Sequence, residues 1–262
     1  MNRIGKVFQN NKAFIPFITA GDPNLTITKE LVLRMEVAGA DLIELGIPFS
    51  DPVAEGPVIQ AADDRALTNG VTTDKIFDMV EELRKESSIP LAFMTYINPI
   101  YTYGVQRFME RCERAGIDAI IVPDLPFEEK EEIKPYCDHY GVVLISMIAP
   151  TSMERIRMIT KEAEGFLYCV SSMGVTGVRS DLGSGIAEMI AEARKSKDIP
   201  CAIGFGISTQ EQAKEMSAFA DGVIVGSAIV KIVGEYGEAC VPYVEDYTRR
   251  MKEACQDDSQ CE

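Results

Sequence analysis

The chain predicts a single (β/α)8 barrel of the TIM type, and three observations carry the prediction. Eight short runs rich in Val, Ile, Leu and Phe recur at 13–19, 42–46, 90–95, 119–122, 142–148, 166–170, 201–204 and 222–225. Longer stretches with apolar residues three or four apart lie between them. The 262 residues match the roughly 250 that one such barrel needs, so 1–262 reads as one domain. Continuous apolar runs suit strands buried on both faces, as in a parallel sheet covered by helices. A doubly wound open sheet is the rival architecture. It usually carries a glycine-rich dinucleotide turn after its first strand, and Thr19-Ala20-Gly21-Asp22-Pro23 is not one.

In chain order, an extra N-terminal helix is expected ahead of the first strand. Helices are then expected at 28–38, 74–86, 105–115, 128–140, 153–162, 186–195 and 210–219, with one more beginning near Ser227. Ala38-Gly39, Ala115-Gly116 and Tyr140-Gly141 supply the glycine through which a helix commonly exits in a left-handed conformation. From Ile47 to Pro57 the chain carries three prolines together with Asp51 and Glu55, which predicts a stiff loop in which Asp51 is a turn or capping residue. The segment 171–185, with glycines at 174, 177, 183 and 185, is far longer than the roughly 2–6 residues common for such connections. It reads as a lid over the pocket. The polar tail 256–262 is expected to fray.

Composition limits the function classes. At 46% hydrophobic and 26% charged the chain can build a core. A net charge of −15 argues against holding nucleic acid or an anionic membrane through a general field, so any anion must be bound locally. The first nine residues lack an apolar stretch of the kind a signal peptide needs, and no run approaches the roughly 18 apolar residues of a membrane span; a cytoplasmic protein is expected. Seven scattered cysteines without a CxxC spacing predict free thiols and no metal. The single histidine, His139, falls at a helix end, which leaves no histidine base for a nucleophile.

Barrel active sites form at the C-terminal ends of the strands, so the residues just past each apolar run are the candidates. Glu44 lies inside the second run, where an unpaired charge is expensive; it is either a structural carboxylate bonded to backbone N–H groups or a catalytic group with a raised pKa. Glu55, on the stiff loop, is placed to face it as a second carboxylate with a separate role. Gly204-Phe205-Gly206-Ile207-Ser208 after the seventh strand and Val225-Gly226-Ser227-Ala228 after the eighth form the usual barrel phosphate site. There backbone N–H groups of Gly206, Gly226 and Ser227 approach the anion beside a helix N-terminus, with Gly177 of the lid. Phe17, Met94, Tyr96, Leu125, Tyr168 and Phe205 sit at or just past strand ends and would line an apolar pocket for an aromatic substrate, with Thr176 near it from the lid.

Leu42-Ile43-Glu44-Leu45-Gly46-Ile47-Pro48-Phe49-Ser50-Asp51-Pro52, Gly174-Val175-Thr176-Gly177 and Gly204-Phe205-Gly206-Ile207-Ser208 together resemble the tryptophan synthase alpha-subunit family. The likeness runs from Pro16-Phe17-Ile18-Thr19-Ala20-Gly21-Asp22-Pro23 to Gly226-Ser227-Ala228-Ile229-Val230-Lys231. It implies cleavage of indole-3-glycerol phosphate to indole and glyceraldehyde 3-phosphate without a cofactor, alongside a pyridoxal-phosphate beta subunit in an alpha2beta2 complex. In that resemblance Glu44 matches the catalytic glutamate, and Glu55 matches the second acid, where many members have aspartate. Tyr168 and Thr176 match pocket and lid residues, and Ser172 and Met173 stand where an arginine is common. Apolar loops at Pro48, Phe49, Pro52 and Val53, at Pro99, Ile100 and Tyr101, and at Pro123, Leu125, Pro126 and Phe127 agree with a partner surface on the catalytic face, or with cover for the pocket. A stand-alone lyase, a catalytically silent phosphate-binding regulator and another phosphate-binding barrel enzyme are the competing readings.

Overall fold

The computed structural model describes residues 3–9, 12–150, 152–170, 182–204 and 206–256. The strands are β1 (Ala13–Thr19), β2 (Ile43–Gly46), β3 (Leu91–Met94), β4 (Ala119–Ile121), β5 (Val143–Leu144), β6 (Ser146–Ile148), β7 (Leu167–Val170), β8 (Cys201–Gly204) and β9 (Gly222–Val225). They form one parallel sheet in the order β5-β4-β3-β2-β1-β9-β8-β7-β6. The run expected as one strand over 142–148 is broken at Ile145: β5 pairs with β4, and β6 pairs with β7. The ends of the order are therefore two halves of one strand position, and the ladder passes round a barrel of eight positions. At the break the Ile145 N–H still donates to the Ile120 carbonyl at 2.9 Å, and the chain after β4 turns, with Leu125 N–H donating to the Val122 carbonyl at 3.2 Å.

Strand alternation sorts the side chains. Ile15, Leu42, Ile121, Phe166 and Ile224 fill the barrel interior with alanines at 13, 92, 119 and 202. Their neighbours in sequence, such as Ile43, Leu45, Phe93, Ile120 and Leu167, face the helices. Both faces are dry, which is why the sequence shows unbroken apolar runs. Phe77 of the helix Thr73–Leu83 and Phe108 of the helix Val105–Ala115 meet Phe93 of β3, with the Phe77–Phe93 and Phe77–Phe108 centroids 5.4 Å apart. Full burial of each such ring contributes on the order of 1.5–3 kcal/mol.

Side-chain caps set several helix starts. Asn24 Oδ1 accepts the Ile27 N–H at 2.9 Å ahead of Leu25–Val37. Thr209 and Gln212 form a reciprocal capping box ahead of Gln210–Ser217. The helix expected over 128–140 is instead a 3-10 turn, Phe127–Glu132, followed by Lys134–His139. Pro135 explains the division, since it has no N–H with which to continue an α-helix from the preceding turn. The extra N-terminal helix is a single 3-10 turn, Ile4–Lys6, whose Ile4 packs with Val7, Ala13, Leu42 and Phe166 across the N-terminal end of the barrel. Arg3, just before it, is held by Asp118 at 3.0 Å.

Three helices lie outside the periodic stretches picked out in the sequence: Pro57–Thr68, Ile97–Tyr103 and Val241–Gln256. The first begins on the last proline of the stiff loop, a residue suited to a first helical position. The last packs on Leu25–Val37 and Gln210–Ser217. Its Lys252 Nζ meets Asp41 just ahead of β2 at 2.7 Å.

Candidate active site

Glu44 stands in the middle of β2, in register with Phe17 of β1 and Ala92 of β3. Leu42, Glu44 and Gly46 share the interior face, so the alternation that buries Leu42 also aims a carboxyl group into the barrel. Glu44 is 0% exposed, and neither carboxyl oxygen has a hydrogen-bond partner among the described residues. Desolvation raises its pKa from 4.5 to about 8, which keeps the group protonated at neutral pH. Tyr168, buried on β7, has its phenol pushed well up by burial and then by the neighbouring charge of Glu44. The Tyr168 ring lies so close to β8 that a Cβ on Gly204 would fall 2.5 Å from its hydroxyl. A Cβ on Gly46 would fall 2.6 Å from the Phe17 ring, so glycine at both places makes room for the aromatic walls.

The loop after β2 brings Glu55 back over the strand ends. Ala54 N–H donates to the Tyr96 hydroxyl at 2.9 Å, and that hydroxyl donates to Glu55. Glu55 is half-buried, and its pKa is raised to about 7, first by burial and also by the charge of Asp124, against a backbone hydrogen bond that lowers it. Asp63, buried on Pro57–Thr68, is also raised to about 7, by burial and then by the charge of Glu55.

Glu44 and Glu55 line one cavity of about 250 Å³, whose walls include Phe17, Met94 and Tyr168. Gly206, Ser208, Gly226 and Ser227 also line it. Gly206 has φ +76°, a conformation glycine adopts freely. Gly226 precedes the helix Ser227–Tyr236, whose first residues Ser227 and Ala228 border the cavity. A helix N-terminus beside glycine-rich backbone favours an anionic group. The cavity thus combines apolar walls and two carboxyl groups of differing acidity with glycine-rich backbone suited to phosphate. Among the described residues no cluster of three or more His, Cys, Asp or Glu side chains could hold a metal ion.

Residues 6–257 match the family described as tryptophan synthase alpha chain. The chain belongs to that family. The tryptophan synthase alpha chain of Lacticaseibacillus casei is 46% identical over 254 residues, covering 97% of this chain and 96% of that one. The crystal structure of tryptophan synthase subunit alpha from Legionella pneumophila str. Paris superposes with a TM-score of 0.89 at 37% identity, covering 97% of this chain and 98% of that one. A structure of the tryptophan synthase a2b2 complex from Pyrococcus furiosus aligns with a TM-score of 0.85 at 37% identity, over 92% of this chain and 98% of that one.

Within this alpha-chain barrel, two expected pocket residues are placed differently. Tyr96 is 3% exposed and points to the Glu55 loop rather than into the cavity. Leu125 does not line this cavity, because the turn after β4 carries it to a second one of about 250 Å³ bordered by Phe127, Ile156 and Ile159. The two cavities share Pro123 and Met147. Asp51 is exposed and accepts the Ser50 hydroxyl at 2.6 Å. Thr176, Gly177, Phe205, Ser172 and Met173 lie outside the described residues, as do residues 257–262 of the tail. Sequence reasoning passed over Ser208, Asp63 and Asp124. Ser208 closes a motif already singled out, and Asp124 follows a strand end in Val122-Pro123-Asp124; Asp63 gives no local signal, being one of two adjacent acids on a helix. No described helix is long and apolar enough to cross a membrane.

Proposed function

We propose that the chain is a carbon-carbon lyase that cleaves indole-3-glycerol phosphate to indole and glyceraldehyde 3-phosphate, as the alpha subunit of tryptophan synthase in tryptophan biosynthesis. The observation that carries the reading is Glu44: a buried carboxyl group without a partner among the described residues, protonated at neutral pH, facing a cavity lined by aromatic walls and by glycine-rich backbone at a helix N-terminus. The indole ring lies against Phe17, Met94 and Tyr168, and the phosphate by Gly206, Gly226 and Ser227. Glu44 delivers its proton to indole C3, and the positive charge that develops on the ring nitrogen is held through its N–H by the Glu55 carboxylate. Glu44, now ionised, accepts the proton of the side-chain hydroxyl. The bond from C3 to the carbinol carbon breaks, its electrons return to the ring, and an aldehyde is released. The proton count closes, since Glu44 ends as it began, and burial keeps water from intercepting the intermediate.

Indole leaves to a pyridoxal-phosphate beta subunit in an alpha2beta2 assembly, and this chain itself uses no cofactor. The setting is the cytoplasm, a reading supported by six free and buried cysteines among the described residues. The experiment is indole release from indole-3-glycerol phosphate by the purified chain, with and without its own beta subunit, beside Glu44→Gln. Turnover raised by the partner and lost in Glu44→Gln is expected. Absence of cleavage with the partner present, or full activity in Glu44→Gln, would overturn the reading.

A further inference from the structure

We infer that Tyr96 and Asp124 are positioning residues for Glu55, Asp124 clamping the turn that carries Tyr96 and the Tyr96 hydroxyl clamping the carboxylate. The inference rests on the role given to Glu55 above. It starts where two strands end. Met94 of β3 pairs with Ile121 of β4, and Ile97 and Asp124 each lie three residues further along the same two chains. The ladder stops there, and Asp124 Oδ1 takes its place by accepting the Ile97 N–H at 2.9 Å. That bond fixes the start of the helix Ile97–Tyr103 and so the direction in which Tyr96, its N-cap residue, leaves the strand.

Tyr96 is then held from further sides. Its ring packs on Phe49 with centroids 5.5 Å apart. Its hydroxyl oxygen accepts the Ala54 N–H at 2.9 Å, which turns the hydroxyl proton toward the neighbouring Glu55 Oε2. One side chain thereby docks both the backbone and the carboxylate of the loop. Glutamate has one more rotatable bond than aspartate, and an arm of that length reaches a useful place only if something stops it. The stop comes from a residue 41 positions away in sequence, reached only because β2 and β3 are neighbours.

The ionisable groups around Glu55 are Tyr96 after β3, Asp124 after β4, Asp63 on Pro57–Thr68, and Glu44 on β2 across the cavity. The two clamping residues act on its charge in opposite directions. The Tyr96 hydroxyl donates to the carboxylate and favours it, whereas the Asp124 charge repels it. A purely structural pair would not separate in this way.

The test measures indole release across pH for wild type, Tyr96→Phe and Asp124→Asn, always with the beta subunit bound. Tyr96→Phe is expected to lower kcat about tenfold with little change in KM, as for an interaction that matters only when charge develops. Its acidic limb in kcat/KM should move to higher pH. Asp124→Asn keeps an oxygen for the Ile97 N–H but loses the charge, so its acidic limb should move to lower pH. Unmoved limbs, or limbs that move in the same direction, would overturn the inference; if Asp124→Asn does not fold, an unmoved limb in Tyr96→Phe suffices. An active wild type with unmoved limbs refutes only the clamp, whereas an inactive wild type refutes the proposed function.

Discussion

Replacing Glu44 with glutamine should stabilise the fold more as pH rises, and the structure sets the size of the effect. The carboxyl group titrates near 4.5 in the unfolded chain and at about 8 in the folded one, because burial penalises the charge. Between those values the folded state keeps a proton that the unfolded state has released, so wild-type stability falls as pH increases. Each tenfold in that proton equilibrium is about 1.4 kcal/mol, which from pH 5 to pH 7 amounts to about 2.5 kcal/mol. Glutamine cannot titrate, and the cost of burying its amide is the same at every pH. The stability gap between Glu44→Gln and wild type should therefore widen by about 2.5 kcal/mol over that range. Glu55 and Asp63, both raised to about 7, contribute to both proteins and largely cancel in the difference. Urea unfolding at several pH values reads the gap as a midpoint separation that grows by about 1 M. A gap constant to within about 0.5 kcal/mol would mean that Glu44 titrates alike in the folded and unfolded chains, and the argument for a protonated acid would fail.

Three more outcomes are expected. The proposed mechanism needs Glu55 ionised and Glu44 protonated, so kcat/KM should rise through about 7 and fall through about 8, with its maximum between them; a rate still climbing at pH 10 would exclude Glu44 as the acid. Gly204→Ala puts a Cβ 2.5 Å from the Tyr168 hydroxyl, which should cost about 1–3 kcal/mol in thermal unfolding and lower kcat; unchanged values would show that the tyrosine has room to move. Arg65→Met leaves Asp22, 3% exposed and bonded to Arg65 at 2.7 Å, as an unpaired buried charge, at a cost of about 3 kcal/mol that a second change, Asp22→Asn, should largely restore.

The strands at 13–19, 201–204 and 222–225 are found at the expected bounds, because each is an apolar run closed by turn residues. Pro57–Thr68 was hidden by its setting: Pro48 and Pro52 lead up to Pro57, and a proline that stiffens a loop and one that opens a helix look alike until the following turns are seen. The break at Ile145 had no local mark. It is visible only in the pairing, β5 lying on β4 and β6 on β7.

The sequence by itself determined the alternation of strands and helices, the family, and the presence of a carboxyl group inside the apolar run of β2, because periodicity and motif are properties of consecutive residues. Only the tertiary structure decided that Glu44 is buried without a partner among the described residues, that Tyr96 bends back to Glu55 and that Leu125 belongs to a different cavity. Those outcomes depend on which strand ends become neighbours when the barrel closes and on how much water closure removes. Desolvation acts on a group through everything packed around it, and no stretch of residues along the chain encodes that alone.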